Sequence, residues 1–280
     1  MVSLSYFAPA EEIRDMVSVG YLFDAPQPHF ADAERSAIAQ VRIVFSGNAT
    51  LTFADGKVNL CDDLMIVGPS TGATHFEIEG PFRMFGFGLL PCGWTATTAK
   101  SAAEYVDRIV PVSDLFDGAL VAELERLKTL ETGEAIMSGI NNIFAARKHL
   151  VPENDQKLAQ IVDDWLASSP SPAVADLMAR CTCSSRQVLR NVNRLYGMPP
   201  KYLARKYRAL RAARAMAEHN EAELLALEDS FYDQSHMIRE IKFFAGTTPH
   251  RLRVDEGELA SLIDQRGLLK GYIAPLTSET

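Results

Sequence analysis

Only four cysteines occur in the 280 residues, Cys61, Cys92, Cys181 and Cys183. They are too few and too scattered for a disulfide scaffold. Cys181 and Cys183 lack the two-residue gap of a metal or redox pair, and no second pair follows. Both are expected to pack as small apolar residues under a helix turn. No apolar run approaches the roughly 18–20 residues that a membrane span requires. The opening MVSLSYFAPAEEIRDMV lacks a basic stretch and meets Glu11 and Glu12 early, so it does not read as a secretion signal. Histidine is scarce too: the first 150 residues hold only His29, His75 and His149. His75 and Glu77 supply two ligands on alternate strand positions, short of a metal site. Neither a nucleophile–base pair nor a Gly-rich phosphate loop is visible. The absences together point to a cytoplasmic protein with reduced thiols, not an enzyme, with no cofactor and no membrane partner.

Positive charge is also in deficit, with 28 Lys and Arg against 36 Asp and Glu. The deficit is uneven. Residues 171–253 hold 14 Lys and Arg and 8 Asp and Glu, a balance of +6, which leaves −14 for the remainder. A cationic module joined to an acidic one is expected, and the usual partner of a cationic module is nucleic acid.

The patterning divides the chain the same way. The first 90 residues read as β: IAQVRIVF, ATLTF, VNL, LMIVG, THFEIEG and FRMFGFGL are short strands. They are separated by SGN, an Asp-Gly turn in ADGK, PSTGA and GPF, as in an antiparallel barrel or sandwich. Helices are expected over TTAKSAAEYVDRI, over SDLFDGALVAELERLKTL behind a Ser113 cap, and over EAIMSGINNIFAARKHL. The polar VPEND marks a boundary near residue 151. Beyond it a short helix, a tight turn and a longer basic helix occur twice, bridged by a long helix that opens at Pro199 and Pro200.

In such a unit the second helix enters the major groove of DNA, and its first turns meet base edges. In the first copy Ser184 is the expected cap, Val188, Val192 and Leu195 the buried side, and Arg186, Gln187, Arg190 and Asn191 the exposed side. In the second, Asp233 caps, Met237, Ile238, Ile241 and Phe244 are apolar, and Gln234, Ser235, His236 and Arg239 are exposed. Arginine can pair bidentately with guanine, and Gln or Asn with adenine. His236 has no partner constellation for catalysis and reads as a phosphate or structural contact.

The stretches FYDQSHMIREIKFFAGTTPHRLR and SSRQVLRNVNRLYGMPPKYLARKYRALRAARAM resemble the double helix-turn-helix domain of AraC-family transcriptional regulators over about 100 residues. The resemblance implies reading helices at 184–196 and 234–245, joined by a linker helix at 200–218. It implies base contacts from Arg186, Gln187, Arg190, Asn191, Gln234, Ser235 and Arg239. Phosphate contacts are implied for Lys201, Arg205, Lys206, His236 and Arg251, with Arg208 either a phosphate contact or an internal partner. Asp229 and Ser230 depart from the pattern, and a charge at 229 must reach solvent or a partner.

Residues 1–150 resemble, more distantly, the cupin-like sensor domain of these regulators. That likeness implies a small-molecule pocket, with Phe45, Phe53, His75, Phe85 and Trp94 as candidates, and dimerisation through residues 114–149. There Leu120, Leu124, Leu127, Ile140, Ile143 and Phe144 form apolar stripes, which dimer contacts or packing within the chain would serve equally. The expected fold is α+β: a β-barrel or cupin-like domain with following helices (1–150), an all-α double helix-turn-helix domain (151–254), and a tail (255–280) in which GELASLIDQ can add a helix. The expected partners are double-stranded DNA, a small-molecule effector, RNA polymerase and a second copy of the chain. Two other readings stay open: a cupin-type enzyme fused to a DNA-binding module, and a partner-binding protein with a degenerate DNA module.

Overall fold

The computed structural model describes residues 2–253. The expected tail helix lies outside the described residues. Eight strands come first, with one helix among them: β1 (Ser3–Phe7), β2 (Val17–Ala25), β3 (His29–Glu34), β4 (Gln40–Thr52), β5 (Val58–Leu60), β6 (Leu64–Val67), β7 (Thr74–Leu89), α1 (Pro91–Thr97) and β8 (Ile109–Pro111). Helices α2 (Gly118–Leu127) and α3 (Gly133–Arg147) follow. Then come α4 (Glu153–Ala167), α5 (Val174–Arg180), α6 (Ser185–Tyr196), α7 (Pro200–Ala217), α8 (Glu221–Glu228), α9 (Gln234–Ala245) and α10 (Pro249–Arg253). The α+β organisation expected from sequence is the one observed.

The sheet is antiparallel in the order β1-β2-β7-β4-β6-β8, with β3 on β7 and β5 on β4. Its spine is the pairing of two long strands, β4 and β7. SGN and GPF are not turns between short strands but bends inside these two. Gly47 and Gly80 take φ of +81° and +80°, and a Cβ on Gly47 would lie 2.6 Å from the Pro81 carbonyl oxygen. The register shifts between Val44 and Asn48, as a β-bulge requires, and the sheet folds over at this corner. Only the Asp-Gly turn makes the expected hairpin, between β4 and β5.

The fold-over gives the sheet two apolar faces. Leu4, Tyr21, Phe23, Leu51, Phe53, Met65, Ile78, Phe82 and Met84 pack inside the fold. Val41, Ile43, Phe85 and Phe87 face outward and are covered by Trp94, Leu120, Leu124, Ile140 and Phe144. The stripes on α2 and α3 are therefore consumed within the chain: Leu120, Leu124, Leu127, Ile140, Ile143 and Phe144 are all buried. They are not free for a second copy.

Two helix expectations are corrected. TTAKSAAEYVDRI is not an α-helix and holds only the short 3₁₀ turn Ala102–Glu104; the α-helix lies before it, in α1, where Pro91 sits at the first position and Trp94 Nε1 donates to the Lys100 carbonyl (2.8 Å). The cap of α2 is Asp117, whose carboxylate accepts from the Leu120 amide (2.8 Å), and not Ser113. Cys183 is exposed and Cys181 half-buried, so only the latter packs under a turn.

Candidate nucleic-acid interface

The helical half repeats itself at a spacing of 49 residues. Helices α6 and α9 each contain 12 residues and each end at a glycine in the left-handed region, Gly197 (φ +79°) and Gly246 (φ +73°). Pro200 and Pro249 then open the next helices. The buried positions correspond as well: Val188 with Met237, Val192 with Ile241, and Leu195 with Phe244. The Asp233 carboxylate accepts from the His236 amide (2.6 Å) as the expected cap. Ser184 occupies the cap position of α6 without a side-chain bond to the helix.

The outer faces of both helices are open. Arg186, Gln187, Arg190, Gln234, Ser235 and Arg239 are exposed, and Asn191 is half-buried. Among the described residues no carboxylate pairs with Arg186, Arg190 or Arg239, whereas the arginines at 42, 83, 147, 194, 205, 208 and 214 are all committed to acidic partners. Ile238, expected among the buried residues of α9, is instead 39% exposed. Asp229 reaches solvent, and the Ser230 carbonyl accepts from Arg208 (3.0 Å), so the two unusual residues fit without an unpaired buried charge.

The phosphate candidates divide. Lys201 and Arg251 are exposed. Lys206 is not available: it is 2% exposed, and its ammonium donates to the Ala37 carbonyl of the sheet domain (2.9 Å). Burial, offset only in part by Asp107, lowers its pKa to about 7. Arg205 makes a bidentate pair with the buried Glu240 (2.6 and 2.7 Å) and lies over the rings of Tyr202, Phe243 and Phe244. Arg208 stands over Phe231 and near the same carboxylate, an internal partner of the fold. His236 accepts the Tyr232 amide (3.4 Å), packs edge-on to Phe231 and stands 3.8 Å from Glu240.

The last turn of α9 is capped by the other half of the molecule. The Phe243 carbonyl accepts from the Ala73 amide (2.8 Å) and the Phe244 carbonyl from the Ser36 amide (2.7 Å). These are among the carbonyls a helix C-terminus leaves unpaired. Tyr202 adds a hydroxyl bond to the Thr71 carbonyl (2.6 Å). The sheet domain thus holds the back and end of the second unit and leaves its first turns open.

Residues 177–254 match the family profile described as a helix-turn-helix domain. This region is a helix-turn-helix domain of the AraC type. Residues 5–111 match a domain of unknown function, DUF6597. No curated protein matches the chain. Among solved structures, a variant of ToxT in its apo form, from Vibrio cholerae strain SCE256, is similar at 10% identity over 84% of this chain and 96% of its own, with a TM-score of 0.47. A cupin superfamily protein from Desulfitobacterium hafniense DCB-2 is similar at 20% identity over 32% of this chain and 77% of its own, with a TM-score of 0.25.

Within the folded sheet lies a cavity of about 90 Å³. None of the five pocket residues expected from sequence lines it. Phe53 is core, Phe45 and Phe85 belong to the helix-covered side, Trp94 is buried in α1, and His75 is exposed at a cleft beside Arg251. The apolar lining comes from Leu4, Tyr6, Tyr21, Phe23, Phe76, Phe82 and Met84 instead. Its polar end is Arg42, which donates to both Glu34 oxygens (2.7 and 2.6 Å) and to Gln40 (2.9 Å), while the Tyr21 hydroxyl donates to the same Gln40 oxygen (2.6 Å). Burial works against the Arg42 charge, but Glu34, Tyr21 and Cys61 together more than offset it, so the guanidinium is held above its usual pKa. Cys61 also lines the space, and burial pushes its thiol up to about 11. Among the described residues no group of three His, Cys, Asp or Glu is placed to hold a metal ion.

Sequence reasoning missed Glu34, Gln40, Arg42 and Glu240. The buried charges carried one readable signal: Gln40 and Arg42 alternate with Val41 and Ile43 in a strand of otherwise apolar residues.

Proposed function

We propose that this chain is a sequence-specific DNA-binding transcriptional regulator whose DNA module is tuned by a small molecule held in the sheet domain. The observation that carries the reading is the pair of equal helices, 49 residues apart, whose outward arginines lack acidic partners among the described residues. Such a face suits bases, because guanine accepts two hydrogen bonds from arginine in the major groove. In this reading Arg186, Gln187, Arg190, Asn191, Gln234, Ser235 and Arg239 contact base edges. Lys201 and Arg251 contact phosphates, together with helix N-termini.

The effector part rests on one segment. Glu34, Arg35 and Ala37 line the cavity, and the same few residues bond the helix-turn-helix domain through the Ser36 amide and the Ala37 carbonyl. A ligand that displaces this segment alters the support of α7 and α9, which gives it the differential contact that coupling requires. Because Arg42 is already neutralised by Glu34, the cavity suits a small, mostly apolar and uncharged molecule. The regulator acts in the cytoplasm, without catalysis, and touches RNA polymerase when bound to DNA. If it dimerises, it does so through a surface other than the α2–α3 stripes, which are buried.

A binding selection of the full chain from random duplex DNA, at two salt concentrations, tests the reading. The expected result is a motif in two parts about one helical turn apart. Binding that enriches no motif and vanishes as salt rises would reduce the module to nonspecific phosphate attraction and overturn the reading.

A further inference from the structure

Two of the large apolar side chains left exposed occupy the same step of the two reading helices. Leu189 is 42% exposed on α6 and Ile238 is 39% exposed on α9. Each lies five residues after its helix cap, 49 residues from its counterpart, and each is followed directly by one of the open arginines, Arg190 or Arg239. On α6, Leu189 stands one turn after Arg186, and on α9 Ile238 stands one turn after Ser235, so each neighbours one of the exposed reading residues. Each stands at the edge of the outward face, one turn before the buried Val192 or Ile241. An aliphatic group between hydrogen-bonding side chains weakens a purely polar readout unless it meets an apolar feature of its own.

The major-groove edge of a base pair offers one such feature that identifies a base, the C5-methyl group of thymine. We propose that Leu189 and Ile238 are specificity residues that cover thymine methyl groups, each next to the guanine read by the adjoining arginine. Both parts of the operator then contain a thymine within one base step of that guanine. A second protein is the poorer occupant. The patch is narrow, its flanking arginines have no acidic partner among the described residues, and it continues the face already assigned to DNA. The inference rests on the DNA-reading assignment and adds the base class that each unit selects.

The test uses the duplex obtained from the selection, with deoxyuridine replacing thymidine one position at a time. The exchange removes the methyl group and leaves every hydrogen-bonding group in place. Loss of one methyl contact is expected to weaken binding about fourfold at one thymine in each part. Leu189→Ala is expected to abolish the effect in one part only, and Ile238→Ala in the other. Unaltered affinity for every uracil duplex overturns the proposal. So does a methyl effect that persists undiminished in both variants. The uracil series is read on the wild-type protein, so it stands even if a variant folds poorly. A selection with no motif would instead sink the DNA-reading assignment, and this inference with it.

Discussion

At the scale of single residues, the cationic side chains fall into two groups. Arg42, Arg205 and Arg208 are spent on internal carboxylates, whereas Arg186, Arg190 and Arg239 stand open. Arg190→Ala and Arg239→Ala are each expected to flatten base preference at one position of the selected site, costing about 1–3 kcal/mol on the cognate duplex. Lys201→Ala should instead weaken all sequences alike and lower the salt slope by about one. Competition binding across a panel of single-base variants separates the two behaviours. Lys206 behaves differently again. Its pKa is lowered to about 7 in the fold, against an ordinary value of 10.5. Between those values the unfolded lysine holds a proton that the folded one has lost, so stability rises with pH over that window and is lowest below about 7. In Lys206→Met this rise should disappear, as measured by melting temperature between about pH 6 and 10.

At the scale of elements, backbone requirements decide where the sheet bends and how α9 ends. Gly47 combines a positive φ with a Cβ position blocked by Pro81, so Gly47→Ala should destabilise the chain by about 1–3 kcal/mol, read by denaturant unfolding. Glu240 is a buried acid gripped by Arg205 and approached by Arg208 and His236. Glu240→Gln should loosen α9 and cost about 3 kcal/mol or more, because two cations are left under-compensated. Selection with this variant should lose the second part of the motif and keep the first.

The helical half was legible because its boundaries are written in local signals: Asp233, Gly197, Gly246, Pro200 and Pro249 all act within one turn of where they stand. The sheet was less so. A glycine with positive φ suits a turn or a bulge equally, and what makes Gly47 a bulge is pairing with β7, a strand distant in sequence. The bulge also shifts which side chains face inward, so Phe45 looks to the helices while Leu51 and Phe53 look into the fold. That offset is why Phe45, one of the expected pocket residues, lies on the far side of the sheet from the cavity. Lys206 shows the other limit. Nothing on its own helix reveals that a second domain covers it.

At the scale of the whole molecule, the sheet domain is part of how the DNA module is built, since two carbonyls of α9 accept from the amides of Ser36 and Ala73. Ala73 is buried where Gly72 and Gly246 let the two halves approach closely. Ala73→Arg should separate them, seen as a larger radius of gyration and faster hydrogen exchange at the Ser36 amide. Such a variant should also lose any response of DNA binding to a cavity ligand while keeping the first part of its motif.

The most direct test of two reading helices acting together is the affinity of the full chain for its selected duplex after about five base pairs, half a helical turn, are inserted between the two parts. The insertion places the second part on the opposite side of the DNA. The account predicts a loss as large as that caused by scrambling one part. Affinity untouched by the insertion, while each part still matters when scrambled, would contradict a rigid pair of reading helices on this chain.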